Sequence, residues 1–117
     1  GVHLPERMAS RAGPLRRARP DWIVTAAAHS GRAARAADAD AVVLSPAFAS
    51  RSPSAGRPLG PLRLAQRIRS AAKPVYALGG INPRTAPRLL LTRAGGLAAV
   101  EALSPARPDQ RVTVPLG

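Results

Sequence analysis

The chain has 117 residues, of which 45% are hydrophobic and 3% aromatic, and it carries a formal net charge of +12. The apolar fraction is enough for one small core of Ala, Val, Leu and Ile, and the absence of cysteine excludes disulfide bonds and cysteine-ligated metals. The absence of cysteine fits a cytoplasmic protein, which is the location we expect. The sequence contains no run of about 18 apolar residues, so we expect no membrane span and no membrane partner.

The first part of the chain alternates short apolar stretches with a helical segment. Gly1–Leu4 predicts a strand, and Leu4–Arg19 predicts a helical segment that Gly13 and Pro14 interrupt. Trp22–Thr25 predicts the second strand.

The arginines raise the question of a nucleic-acid partner, because a basic chain is attracted to phosphate backbones. All basic residues except Lys73 are arginines, and the Ala, Arg, Pro and Gly bias is typical of a GC-rich coding sequence. Aromatic side chains for base stacking are nearly absent. The one local concentration of charge, at Arg11, Arg16, Arg17 and Arg19, is interpreted as a solvated face. Nucleic acid is therefore not the expected partner, and an Arg-rich nucleic-acid-binding module is kept as an alternative hypothesis.

His29 is the candidate catalytic residue, because it follows the second predicted strand and imidazole changes charge near neutral pH. The alternative is a loop histidine that only hydrogen-bonds the rim of the sheet. His3, within the first strand, is the weaker candidate. After His29 we predict a helix over residues 30–39 and then a strand over Ala41–Leu44.

A long loop rich in Ser, Pro, Gly and Arg is predicted over Phe48–Gly60. Loops above about 12 residues are uncommon in compact domains and often carry function. Pro61–Ser70 then predicts a helix, since its apolar side chains recur at helical spacing.

The segment Val75–Pro83 is typical of a phosphate-binding turn. Four apolar residues predict a buried strand, and Gly79 and Gly80 come after it, where the backbone can approach a ligand without a Cβ in the way. Asn82 suits a helix N-cap and Pro83 the first helical position, so the positive end of a helix would point at the ligand. The alternative is a plain turn.

A second glycine unit, Ala94–Val100, comes about one strand and helix later. Strands separated by helix-length segments predict a parallel sheet with right-handed crossovers. We therefore expect the loops at Gly79–Gly80 and Gly95–Gly96 to converge on one anion site at the carboxyl ends of the strands. Pro87 makes the intervening helix irregular, and the Pro-rich tail 104–117 is expected to be irregular, with Val112–Val114 able to pair as an edge strand.

Five segments carry a resemblance to a known family, and they occur in the family's order: Gly1–Leu4, Ala28–Ser30, Ser45–Ser52, Leu78–Ile81 and Gly96–Val100. They are similar to the fourth strand, the Ser-x-His motif, the Gly-Pro-x-Tyr-Pro-Thr-x-Thr loop, and the seventh and eighth strands of the thiamine-phosphate synthase and TenI superfamily. The resemblance covers residues 1–103.

The resemblance implies an α/β fold that is the C-terminal half of a (β/α)₈ TIM barrel, strands 4 to 8, in residues 1–103. A complete barrel has roughly 250 residues, so we expect the chain to be a fragment whose sheet is not closed. An open parallel sheet exposes an apolar face, which predicts a homodimer or a missing N-terminal half-barrel as partner.

The resemblance also implies site residues. The ligand would be a phosphorylated thiazole or thiamine phosphate, with His29 in acid/base chemistry of the tautomerase or synthase type. The phosphate-binding residues would be Gly79, Gly80, Gly96, Val100, Ser50, Arg51 and Ser52.

The chain departs from an active synthase at two positions. Met8 stands where the family has an Asp that helps to hold Mg²⁺, and thioether sulfur does not suit a hard cation. Pro53 stands in place of a loop Lys, for which Arg51 or Arg57 could substitute. We therefore expect no cofactor in this chain, with Mg²⁺ only in a complete synthase, and keep a catalytically inactive phosphate-binding remnant as an alternative.

Overall fold

The chain forms a five-stranded parallel sheet in a computed structural model that describes residues 1–52 and 56–103. The strands succeed one another across the sheet in chain order, and every pair of neighbours is parallel. They are β1 (Val2–Leu4), β2 (Val24–Ala28), β3 (Ala41–Leu44), β4 (Val75–Leu78) and β5 (Gly96–Ala98). The tail 104–117, including Val112–Val114, lies outside the described residues.

Helical segments connect the strands. They are a 3₁₀ helix (Glu6–Arg11) that runs into α1 (Ala12–Ala18), then α2 (Gly31–Ala36), α3 (Gly60–Ser70) and a 3₁₀ helix at Ala86–Leu89. A further 3₁₀ helix, Glu101–Leu103, follows β5. Within the described residues, no helix is long and apolar enough to cross a membrane.

Several bounds differ from the sequence predictions. The helix predicted over residues 30–39 ends at Ala36, and β2 ends at Ala28 rather than at Thr25. β2 begins at Val24 rather than Trp22, because Trp22 closes a turn by donating its N–H to the carbonyl of Arg19 (3.0 Å). Pro14 does not interrupt a helix, since it lies in the first turn of α1, where its missing N–H costs no hydrogen bond.

The core lies on one face of the sheet. Val24, Ala26 and Ala28 alternate inward along β2 and are fully buried. They join Val42, Leu44, Val75 and Ala77 from the neighbouring strands, and Leu64 of α3 packs into the same cluster. This is the face of the sheet that the helical layer covers.

The opposite face of the sheet is less covered. Thr25 and Ala27 of β2 and Val43 of β3 are half-buried there, and Tyr76 of β4 is 39% exposed. His3 lies on the same face, with Nδ1 2.9 Å from the Thr25 hydroxyl.

Asp40 fastens the amino ends of β2 and β3 together. Its carboxylate accepts the N–H of Val24 and a hydrogen bond from Arg16 Nε, both at 2.8 Å. The Val24 amide, with Arg16 beside it, holds the pKa of the Asp40 carboxyl below its usual range, although partial burial opposes the shift.

Candidate active site

The loops that connect to the carboxyl ends of the strands meet at one edge of the sheet, because parallel strands present all these ends together. Backbone hydrogen bonds join neighbouring loops: Ser45 donates to the carbonyl of Ala28 (3.0 Å), and Ala47 donates to that of Leu78 (2.8 Å). Phe48 also donates to Gly79 (3.0 Å). The carboxyl edge is therefore one connected surface.

His29 lies at this edge and is paired with Glu6. The ring Nδ1 is 3.0 Å from Glu6 Oε2, and the same oxygen accepts the backbone N–H of His29. Both side chains are partly exposed, at 52% for His29 and 40% for Glu6. With Nδ1 held by a carboxylate, Nε2 is the ring nitrogen left to exchange a proton.

Gly79 and Gly80 come directly after β4 and both have positive φ, 98° and 63°. A Cβ at Gly79 would lie 3.0 Å from Pro46 Cα. A Cβ at Gly80 would overlap the carbonyl oxygen of Ala49 and lie 2.8 Å from Phe48 Cβ. Close packing against the neighbouring loop, together with left-handed backbone, therefore requires glycine at both positions.

The helix expected after this turn is absent, so that prediction is wrong. Asn82 Oδ1 does accept the N–H groups of Arg84 (2.9 Å) and Thr85 (3.1 Å), as a cap would. The chain continues as a turn and the 3₁₀ helix Ala86–Leu89, because Pro87 has no N–H for the helical ladder. The segment after the glycine turn therefore supplies no α-helix dipole that could point at a ligand.

The two glycine pairs do not converge, and that prediction is also wrong. Gly96 begins β5 opposite Tyr76, so Gly95 and Gly96 lie at the amino edge, while Gly79 and Gly80 lie at the carboxyl edge. A Cβ at Gly96 would be 2.6 Å from the Tyr76 ring, which gives this glycine a packing role. Val100, in contrast, lies beyond β5 at the carboxyl edge.

Ser50 and Arg51 lie on the loop after β3, and the carboxylate of Glu101 is bound between them. Glu101 Oε1 accepts a hydrogen bond from the Ser50 hydroxyl (3.3 Å) and from the N–H of Arg51 (3.2 Å). Ser52 donates its N–H to Ser50 Oγ (3.2 Å). Two donors predicted to hold phosphate thus hold a carboxylate of the chain itself.

The position of the family's Mg²⁺-binding Asp is occupied by an apolar side chain. Met8 packs against the core cluster. Across residues 1–52 and 56–103, no group of three or more His, Cys, Asp or Glu side chains could hold a metal ion. Pro53, the position of the family's loop Lys, lies outside the described residues.

Sequence reasoning did not identify Glu6 or Glu101 as site residues. Glu6 comes shortly after β1, as His29 does after β2, and adjacent parallel strands bring such positions to one edge. The position of Glu6 just after a predicted strand could therefore have identified it as a site residue. Glu101 had the same signal, since it comes three residues after the end of β5.

A family model described as thiamine monophosphate synthase matches residues 1–103. The chain is 39% identical over 85 residues to a putative thiamine-phosphate synthase of Aquifex aeolicus, covering 70% of this chain and 45% of that protein. It is 37% identical over 108 residues to the thiamine biosynthesis bifunctional protein ThiM/ThiE of Symbiobacterium thermophilum, covering 88% of this chain and 22% of the relative.

The fold is similar to a solved thiamine phosphate pyrophosphorylase from Pyrococcus furiosus. The TM-score is 0.66 at 26% identity, over 86% of this chain and 48% of the solved chain. The chain thus spans about half the length, or less, of the proteins that it matches.

Proposed function

Because the chain belongs to the thiamine monophosphate synthase family, we propose that it supplies strands 4 to 8 of a (β/α)₈ barrel whose carboxyl edge binds a phosphorylated thiazole or thiamine phosphate. The observation that carries this proposal is the connected carboxyl edge, where His29, the glycine turn and the Ser50–Ser52 loop meet. Ligands of parallel α/β sheets bind at that edge.

In the proposed barrel, the partly exposed face of the sheet becomes the interior. Thr25 and Val43 are half-buried on that face, and Tyr76 is 39% exposed. A preceding half-barrel, or a second copy of the chain, would cover these side chains and the outer side of β1.

His29 is proposed to transfer a proton to or from the bound thiazole. Glu6 holds Nδ1 and so positions the ring, which leaves Nε2 for the substrate. A carboxylate that orients an imidazole in this way also stabilises the protonated ring during transfer.

The phosphate is proposed to lie near Gly79–Gly80 and Val100, beside the Ser50–Ser52 loop. Glu101 stands in the way of this arrangement, since its carboxylate already accepts the Ser50 hydroxyl and the Arg51 N–H. A phosphate that uses these donors must displace Glu101, whose charge has the same sign. Binding by the isolated chain is therefore weakened by its own side chain.

The proposal is tested by titrating the purified chain with thiamine phosphate and with thiamine in a calorimeter. We expect thiamine phosphate to bind at least tenfold more tightly, because charge-assisted hydrogen bonds to phosphate are absent with the alcohol. Equal affinity for the two compounds would contradict a phosphate site.

Replacing Glu101 by glutamine is expected to raise the affinity for thiamine phosphate about tenfold. The change keeps the size of the side chain and removes a like charge next to the phosphate, a repulsion of about 1–2 kcal/mol in a partly solvated site. Asp21→Asn is the matched control, since Asp21 pairs with Arg19 away from this edge, and it should stay within about twofold. An unchanged affinity for Glu101→Gln would show that the phosphate does not use the Ser50 and Arg51 donors.

Two alternatives are weighed against this proposal. In a catalytically inactive remnant, phosphate binding would survive without turnover. For a nucleic-acid-binding module, the Arg11–Arg19 cluster would need free charges, but Arg16 pairs with Asp38 (3.0 Å) and Arg19 lies 3.6 Å from Asp21. These pairs favour the solvated-face interpretation.

A further inference from the structure

A cavity of about 440 Å³ lies between the carboxyl ends of β2 and β3 and helix α3. Its lining includes His29, Pro46, Arg57, Arg63 and Arg67. Among these residues three carry guanidinium groups and none carries a carboxylate. The cavity lies toward the helical layer, because Arg63 and Arg67 belong to α3.

The three arginines have no anionic partner in the part of the chain that the structure describes. No hydrogen bond or ion pair there involves the guanidinium of Arg57, Arg63 or Arg67. Arg67 is the most constrained of them, since its Nε is buried and lacks an acceptor. Buried donors in native proteins nearly always have an acceptor, so this N–H calls for one from a ligand.

Gly31, the first residue of α2, allows Arg67 to occupy this position. A Cβ at Gly31 would lie 2.7 Å from Arg67 Nη1 and 3.4 Å from Arg35 Nη1. Because Gly31 has no side chain, the guanidinium of Arg67 fits beside the guanidinium of Arg35. Like charges gathered in this way repel each other until an anion neutralises them.

We propose that this cavity binds a polyphosphate group. Guanidinium forks match phosphate oxygens bidentately, and three of them suit a ligand with several negative charges. The cavity shares His29 with the proposed thiazole site, but its three arginines belong neither to the glycine turn nor to the Ser50–Ser52 loop, so the proposal does not rest on that site.

The test is calorimetric titration of the chain with tripolyphosphate. We expect Arg67→Gln to weaken binding at least tenfold and Arg63→Gln with Arg67→Gln to weaken it further. Gly31→Ala keeps the net charge but pushes Arg67 away from its position, and it should also weaken binding several-fold. Arg69→Gln removes one charge from α3 at a residue that does not line the cavity, and it should stay within about twofold.

Three outcomes would overturn the proposal. Equal losses for Arg67→Gln and Arg69→Gln would mean attraction to net charge alone, and an unchanged Gly31→Ala would mean that the position of Arg67 is unimportant. Displacement of tripolyphosphate by thiamine phosphate would show that the two ligands share one site, and the cavity would then not be a separate polyphosphate site. A parallel titration with ATP shows whether the polyphosphate group belongs to a nucleotide. Binding of ATP more tightly than tripolyphosphate indicates a nucleotide, and weaker binding indicates free polyphosphate. Both results support a polyphosphate site.

Discussion

Replacing His29 by asparagine is expected to lower turnover about 10²- to 10⁴-fold in a completed barrel, the usual range for losing a positioned general acid or base. The barrel would be completed by joining this chain to the part of the Aquifex aeolicus relative that it does not match. The measured rate is isomerisation of a thiazole carboxylate phosphate. Thiamine phosphate affinity should stay nearly intact, because the proposed phosphate donors lie on other loops.

The controls for His29 use its own neighbours. Glu6→Gln should lower the rate less, by about tenfold, and shift the pH profile, because Glu6 positions the ring without touching substrate. His3→Asn should stay within about twofold, since His3 contacts Thr25 within the sheet rather than the carboxyl edge. The 117-residue chain alone should show no appreciable rate, because in the proposed barrel it supplies only strands 4 to 8 and therefore only part of the surface that positions the substrate. If His29→Asn stays within about twofold in an active barrel, the histidine is structural and the acid/base proposal fails.

Replacing Gly80 by alanine is expected to lower the free energy of unfolding by about 2–4 kcal/mol. Left-handed backbone costs a residue with a side chain about 1–2 kcal/mol, and the clash with Ala49 and Phe48 adds to it. Urea denaturation monitored by circular dichroism measures the change. Because the substitution destabilises the fold, any accompanying loss of phosphate affinity would not by itself show that Gly80 contacts the phosphate.

Substitutions at two other glycines distinguish the cost of left-handed backbone from the cost of the steric clash. Gly60 also has positive φ, 73°, but a Cβ there would meet open space, so Gly60→Ala should cost only about 1–2 kcal/mol. Gly56 has neither strain nor a close neighbour, and Gly56→Ala should change stability by less than about 0.5 kcal/mol. A Gly80→Ala loss no larger than that of Gly60→Ala would mean that the loop at Phe48 and Ala49 moves aside freely.

The strands β3 and β4 and the helix α3 could be predicted from the sequence with nearly their observed bounds. Each depends on a short local pattern: four apolar residues before a turn, or apolar residues at helical spacing. The order of strands could also be predicted, because right-handed crossovers place successive parallel strands side by side. His29 could be placed at the carboxyl edge for the same reason.

The partners of the site residues were decided only by the tertiary structure. Glu6 meets His29 across 23 positions of sequence and Glu101 meets Arg51 across 50, and both contacts depend on strand register and loop path. The ends of β5 were decided in the same way. Gly96 pairs with Tyr76 and so opens the strand, which puts the second glycine pair at the amino edge.

By itself, then, the sequence determined the strands and helices that a short local pattern predicts, together with the family motifs that these elements carry. The tertiary structure decided which glycines face the site, which carboxylates hold His29 and the Ser50 loop, and where the arginines of α3 gather. Local patterns act over a few neighbouring residues, whereas these contacts form only when the sheet brings distant loops to one edge.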